Sequence, residues 1–208
     1  MKNTLIIPRI TGMFFVLLTF SCMQPYTEKT GEEPFDGSMR SIEKFIGSDI
    51  SLSMQLMGFQ IHSGSNPPIV EGTFVADPLE ILSSTLMDEW PGTPIEAQVF
   101  TLHGQNQKKQ KLNYVPESEA QTGKISTAVI SGQDGSFTVC FKISDEKDGY
   151  SIESIHVISG FMASNGIQQF QKAVFIKIIE GEAPSEIWHL EGKGRVIHEI
   201  DNIAQRQL

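Results

Sequence analysis

From Ile69 to the C-terminus, apolar and polar residues alternate with a period of two, and clusters of Gly, Asn and Asp interrupt the alternation at short intervals. Period two puts successive side chains on opposite faces of an extended chain, so this part is predicted to form strands. They are expected at 69–76, 95–103, 109–115, 124–131, 136–144, 150–160, 167–179 and 187–198. The links at 104–107, 132–135, 145–149, 163–166 and 181–184 each offer Gly, Asn or Asp where a tight turn needs positive φ or a local side-chain hydrogen bond. Links this short join antiparallel neighbours. Ahead of the strands, Ile50, Met54, Met57 and Ile61 recur at helical spacing behind Ser48 and Asp49, whose oxygens can cap a helix start, and Gly58 ends it. Leu52, Leu56 and Phe59 widen the apolar stripe, so the helix is expected to pack on something broad, namely a sheet.

Eight sequential antiparallel strands in an open sheet would leave two long edges that invite pairing with another chain, and closure removes them. The expected fold is therefore mainly β: an up-and-down antiparallel β-barrel of about eight strands with one N-terminal helix packed on it, the alternative being a β-sandwich. Some strands are apolar on both faces: Val174, Ile176 and Ile178 alternate with Ala173 and Phe175, and Ile95, Ala97 and Val99 with Phe100 and Leu102. The helix is the available cover for the outside. Segment 77–93, with Leu79, Ile81, Leu82, Leu86, Met87, Trp90 and Pro91, is too apolar for a solvated loop and too broken for one element. It is expected to hold a short helix, or a strand followed by a lid over the mouth, with Trp90 as a buried anchor or a residue near an opening.

The N-terminus changes where such a fold would work. Lys2 and Arg9 precede an apolar run from Ile10 to Phe20, about half the length that crosses a bilayer, as in a cleaved secretory signal. Leu17-Leu18-Thr19-Phe20-Ser21-Cys22 resembles a bacterial lipobox, with Thr19 where Leu is usual. This implies a lipoprotein signal peptide at 1–21, lipid attachment at Cys22, a flexible polar tether at 22–40 and a single domain at 41–208. The chain has 208 residues and a net charge of −9, and loss of Lys2 and Arg9 makes it more negative still. Such a surface repels nucleic acid and acidic headgroups, so the expected membrane attachment is through the N-terminal lipid only.

Candidate chemistry is sparse. With Cys22 lipidated, Cys140 has no partner for a disulfide, and its strand places it opposite the face of Phe137, Val139, Phe141 and Ile143, as a half-buried thiol. His62, His103, His156, His189 and His198 are dispersed without metal-ligand spacing, so no metal and no cofactor are expected. Segment 145–149 has Lys147 where a calcium loop wants an oxygen ligand, and reads as a hairpin turn. No nucleophile elbow, P-loop or dinucleotide fingerprint occurs. Carboxylates such as Glu96 and Glu153 are scattered on strands at positions expected to face solvent.

His62-Ser63-Gly64-Ser65-Asn66-Pro67-Pro68-Ile69-Val70-Glu71-Gly72-Thr73-Phe74 resembles the Asn-Pro-Pro…Gly-Thr-aromatic segment of a group of uncharacterised lipoproteins of gut bacteria. Ser164-Asn165-Gly166-Ile167-Gln168-Gln169-Phe170 and Gly192-Lys193-Gly194-Arg195-Val196 resemble later segments of that group, which brings no activity with it. Gly72-Thr73-Phe74, after a helix and on the first strand, also resembles the Gly-x-aromatic of lipocalin-like (calycin) barrels, with Phe74 where Trp is usual.

The function expected is that of a lipid-anchored cell-envelope binding protein, not an enzyme, exported and held at the outer membrane. A small hydrophobic or amphipathic ligand is expected in the barrel against Phe137, Val139, Phe141, Ile143, Val174 and Ile176, with Trp90 near an opening. The alternative is a surface interaction module for protein or glycan without an interior ligand.

Overall fold

A computed structural model describes residues 33–117, 123–147 and 149–207, and everything below concerns the compact unit Pro34–Leu208. The export signal, the lipobox and Cys22 lie outside the described residues.

Two helices lead the fold. In α1 (Met39–Ile46), the Ser38 hydroxyl caps the start by accepting the Ser41 N–H at 3.2 Å, and Asp36 in turn accepts from the Ser38 N–H and hydroxyl. Gly47 ends α1 and opens α2 (Ser48–Leu56). Ile42, Ile46, Ile50 and Met54 recur every four residues across both helices and are buried. The sequence predicts the second helix and leaves the first unassigned; Phe35 and Met39, inside the segment read as tether, pack against the same cluster. Leu52 and Leu56, read as widening the stripe toward the sheet, face solvent.

The remainder is mainly β. Among the described residues, twelve strands form one antiparallel sheet: β1 (Gly72–Ala76), β2 (Leu79–Ser84), β3 (Pro94–Ile95), β4 (Gln98–Asn106), β5 (Lys111–Pro116), β6 (Lys124–Ile125), β7 (Ala128–Gln133), β8 (Ser136–Lys147), β9 (Tyr150–Ala163), β10 (Gly166–Gly181), β11 (Gly194–Glu199) and β12 (Ile203–Arg206). Eight of them close a ring in the order β1-β4-β5-β7-β8-β9-β10-β12. The strand expected at 187–198 is instead a helical turn, α3 (Ser185–Trp188), followed by β11. Segment 77–93 holds β2 and a loop carrying Trp90.

Strand length governs the shape of the ring. β8, β9 and β10 run for 12, 14 and 16 residues, whereas β1 and β12 run for 5 and 4. The seam therefore closes at one end only, where Gly166, Ile167 and Gln168 pair with Gln205, Ala204 and Ile203. Past a register shift between Gln168 and Gln171, β10 pairs with β11, which carries β2 and β3 away from the ring. The ring splays at that end.

Two apolar layers result. The inward face holds Phe74, Phe100, Leu112, Tyr114, Ile130, Phe137, Val139, Phe141, Ile158 and Phe170. The outward face of β7–β11 holds Val129, Cys140, Ile155, Val157, Ala173, Phe175 and Val196, roofed by α1 and α2. That second layer explains why several strands are apolar on both sides. Between helix and β1, the chain crosses the closed end: the Ser131 hydroxyl donates to the His62 carbonyl at 2.8 Å, the Gly132 N–H to the Gly64 carbonyl at 3.0 Å, and Gln105 and Gln107 to the carbonyls of Pro68 and Pro67. Gly64 has φ +150 and its missing Cβ leaves room for the Gly132 carbonyl, so a larger residue would push the crossing off the β7–β8 hairpin. Val70 ends the crossing fully buried in the inward core.

Candidate functional site

A cavity of about 570 Å³ opens at the splayed end. Pro94, Ile95, Ala97, Val99, Pro116 and Val174 supply apolar wall, and Glu96 and Ala97 are exposed at its rim. A second hollow, about 540 Å³, lies over the seam at Ser164, Asn165, Ile203, Gln205 and Arg206. It gathers one charged residue, whereas the first gathers Glu96, Asp145, Lys172 and Arg195 together with His156, so the chemistry concentrates at the splayed end.

An aromatic ladder leads from the packed core to this cavity. Phe100 stacks with Phe170 at 5.7 Å and with Tyr114 at 5.8 Å; Tyr114 stacks on Phe141 at 4.2 Å, and Phe141 on His156 at 5.3 Å. Inward alternation on β9 brings Ser154, His156 and Ile158 to the same face, and on β10 Lys172 and Val174. Chain packing fills the interior up to Phe141, and the hollow begins where polar side chains replace Phe and Ile.

Lys172 is the unusual group. It is 6% exposed, its Nζ donates to the neutral Gln98 Oε1 at 2.7 Å and lies 5.7 Å from the Tyr114 ring centre. Among the described residues, the ion pairs join Lys142 and Lys177 to Glu153, Arg195 to Glu89, and His198 to Glu80; none includes Lys172. Burial, and then the nearby Arg195 charge, push its ammonium down to about 8. His156 is buried beside it, with Nε2 3.0 Å from the Ser154 hydroxyl and Nδ1 without a partner. Burial first, then the charges of Lys172 and Arg195, hold its imidazole down at about 3. Burial likewise raises the Tyr114 phenol.

The Ser154–His156 pair has the contact of a nucleophile and its base, and the environment opposes that use. A base must accept a proton, and in a Ser–His–Asp site a carboxylate on the other nitrogen stabilises the imidazolium. Here Nδ1 is bare and two cations oppose the charge. A neutral imidazole with Nε2 accepting from Ser154 leaves Nδ1–H as a buried donor without a partner beside the cavity, an assignment that follows from the hydrogen-bond pattern.

Of the residues expected to meet a ligand, Ile143 and Val174 line the cavity. Phe137, Val139 and Phe141 lie deeper, fully buried in the ring core, and Ile176 is half-buried farther along β10. Trp90 is 70% exposed on the β2–β3 loop and is not part of the wall. Sequence reasoning missed Lys172, His156, Ser154, Gln98 and Arg195. A usable signal was there: a lysine on the face that also carries Val174, and Ser-x-His on one face of a strand, are polar entries in otherwise apolar rows. Cys140 is wholly buried under the helices, and burial pushes its thiol up to about 12, so it has no thiolate with which to react. No group of three or more His, Cys, Asp or Glu capable of holding a metal occurs among the described residues.

The site thus lies in a mainly β fold whose ring of eight strands carries an open-ended cavity lined by polar and apolar residues. No family model, curated protein or solved structure matches this chain.

Proposed function

We propose that the chain is a lipid-anchored cell-envelope protein that binds a small hydrophobic or amphipathic ligand in the splayed end of its strand ring. In this reading the ring is an up-and-down β-barrel of the lipocalin-like kind, exported behind the 1–21 leader, tethered through Cys22 to the outer membrane, and not an enzyme. The carrying observation is the cavity of about 570 Å³, which falls within the size of small-molecule sites and mixes apolar wall with a few convergent polar groups. The low proton affinity of His156 supports binding over catalysis.

Native mass spectrometry of the full-length protein, purified gently from envelope membranes, tests the reading. The expected result is a bound non-protein mass that organic extraction removes and that is lost in Val174→Trp, which fills the wall. Protein that carries no such mass, and that takes up no fatty acid, fatty alcohol or sterol when these are added, contradicts it.

A second reading rests on a different feature. Met87 and Trp90 stand 83% and 70% exposed on the β2–β3 loop, as a surface that contacts protein or glycan would present them. A stoichiometric partner lost on Trp90→Ala, with the cavity empty, would favour that reading.

A further inference from the structure

Among the described residues, Lys172 is a buried cation in the cavity wall that no ion pair includes. An ammonium has three N–H donors, and Lys172 spends one on Gln98. Among the described residues, its other neighbours are the Tyr114 ring, the neutral His156 and Arg195, and none of these supplies negative charge. Burying a charge without a counter-charge is costly, so an unpaired buried lysine facing a hollow has a defined complement.

We infer that the ligand is an amphiphile with a single carboxylate head, held beside Lys172 Nζ with the Nδ1–H of His156 as a second donor, while its apolar body lies against Ile95, Ile143 and Val174. This inference rests on the cavity being a ligand site and adds the chemistry of the ligand. Lys172 Nζ, whose one hydrogen bond is to the neutral Gln98, and His156 Nδ1, which has no partner, then gain a charged acceptor from one group. The rim sets an upper bound on charge. Glu96 also lines the cavity and is exposed at its rim, so a dianionic or bulkier polyanionic head meets like charge on entry, whereas one carboxylate passes toward the two cations. Arg195 is tied to Glu89 and acts through its field on Lys172 rather than as a free clamp.

Equilibrium binding of dodecanoate, dodecan-1-ol and dodecyl phosphate to the full-length protein at pH 7 tests this. Dodecanoate is expected to bind at least about tenfold tighter than dodecanol, a preference in the range of one charge-assisted hydrogen bond. Dodecyl phosphate is expected to bind more weakly than dodecanoate. In Lys172→Met the preference for carboxylate disappears while dodecanol binding persists, and Lys172→Arg keeps the preference. Equal binding of acid and alcohol by the unaltered protein overturns the inference and leaves the cavity reading standing. Tighter binding of the phosphate overturns the single-carboxylate limit. Binding of none of the three overturns both the inference and the reading beneath it. A preference unchanged in Lys172→Met removes Lys172 from the account.

Discussion

The two ends of the strand ring are built from the same strands and do opposite things. At the closed end, β10 pairs with β12, the Gly64–Val70 crossing lies over the hairpins, and Val70, Phe74, Phe100, Phe137 and Phe170 fill the interior. At the splayed end, β10 pairs with β11, the short strands β1 and β12 have stopped, and Lys172, His156 and Ser154 surround a hollow. The difference teaches that a few residues of strand length decide whether a ring becomes a core or a site. Where every strand of the ring reaches, side chains meet across it and expel water; where two fall short, the wall opens and polar groups can stand within it.

The largest effect is expected at the closed end. Phe100→Ala removes the ring that contacts Phe74, Tyr114 and Phe170, and should destabilise the fold by about 3–5 kcal/mol by urea denaturation. A loss under about 1 kcal/mol would mean that this end is not close-packed. The helical roof comes next. Met54→Asp buries an unpaired carboxyl against the outer layer and should cost about 3 kcal/mol or more, exposing Cys140. In a Cys22→Ser background, leaving Cys140 as the one thiol, labelling should change from slow to rapid.

The splayed end should respond in the opposite direction. Lys172→Met removes a buried charge that has only a neutral partner, and should stabilise the free protein by about 1–3 kcal/mol near neutral pH. The sign follows from the base being harder to protonate in the fold than in the unfolded chain. Facing Tyr114, His156 and Arg195 from their strands, its ammonium titrates near 8 against an ordinary 10.5, so the unfolded state binds more protons between those values. Stability of the unaltered protein should therefore rise between about pH 8 and 10.5, and Lys172→Met should flatten that part of the profile. His156 gives the acid counterpart: held down at about 3 against 6.5, it should cost stability as pH falls through that window. An unchanged profile in His156→Phe would contradict it.

A smaller effect is expected at Glu199, beyond the ring on β11. Its Oε1 accepts the Asp77 N–H at 2.5 Å and its Oε2 has no hydrogen-bond partner; burial, then the neighbouring Asp201 carboxyl, raise it to about 8. Because the unfolded carboxyl ionises near its ordinary 4.5, stability should fall as pH rises from there to about 8. Glu199→Gln should remove that slope and gain on the order of 1 kcal/mol at neutral pH. Trp90→Ala should change stability by less than about 0.5 kcal/mol, because the ring is largely in solvent.

Much of the strand content was legible because period two is a direct image of a half-buried strand. Phe137, Val139, Phe141 and Ile143 face inward and Cys140 outward, as their alternation requires. The strand that closes the ring was not legible. In β12 only Ala204 is buried, and Gln205 and Arg206 carry no apolar alternation. First-helix residues escaped for a related reason: eight residues after a polar tract hold two buried isoleucines, Ile42 and Ile46, and their partners lie far away in the chain. The site was less legible than the fold. Lys172 and His156 sit in strands whose apolar rows predict core, and only the splay of β10 toward β11 turns their positions into the wall of a cavity.

The central claim is that the splayed end is hollow and holds its lysine unpaired until a ligand arrives. A crystal structure of the protein purified from its native host tests it most directly. The account predicts non-protein density between Lys172, His156 and Val174, with its polar end within hydrogen-bond reach of Lys172 Nζ. Side chains packed through that space, with Lys172 Nζ paired to a carboxylate of the chain itself, would contradict it.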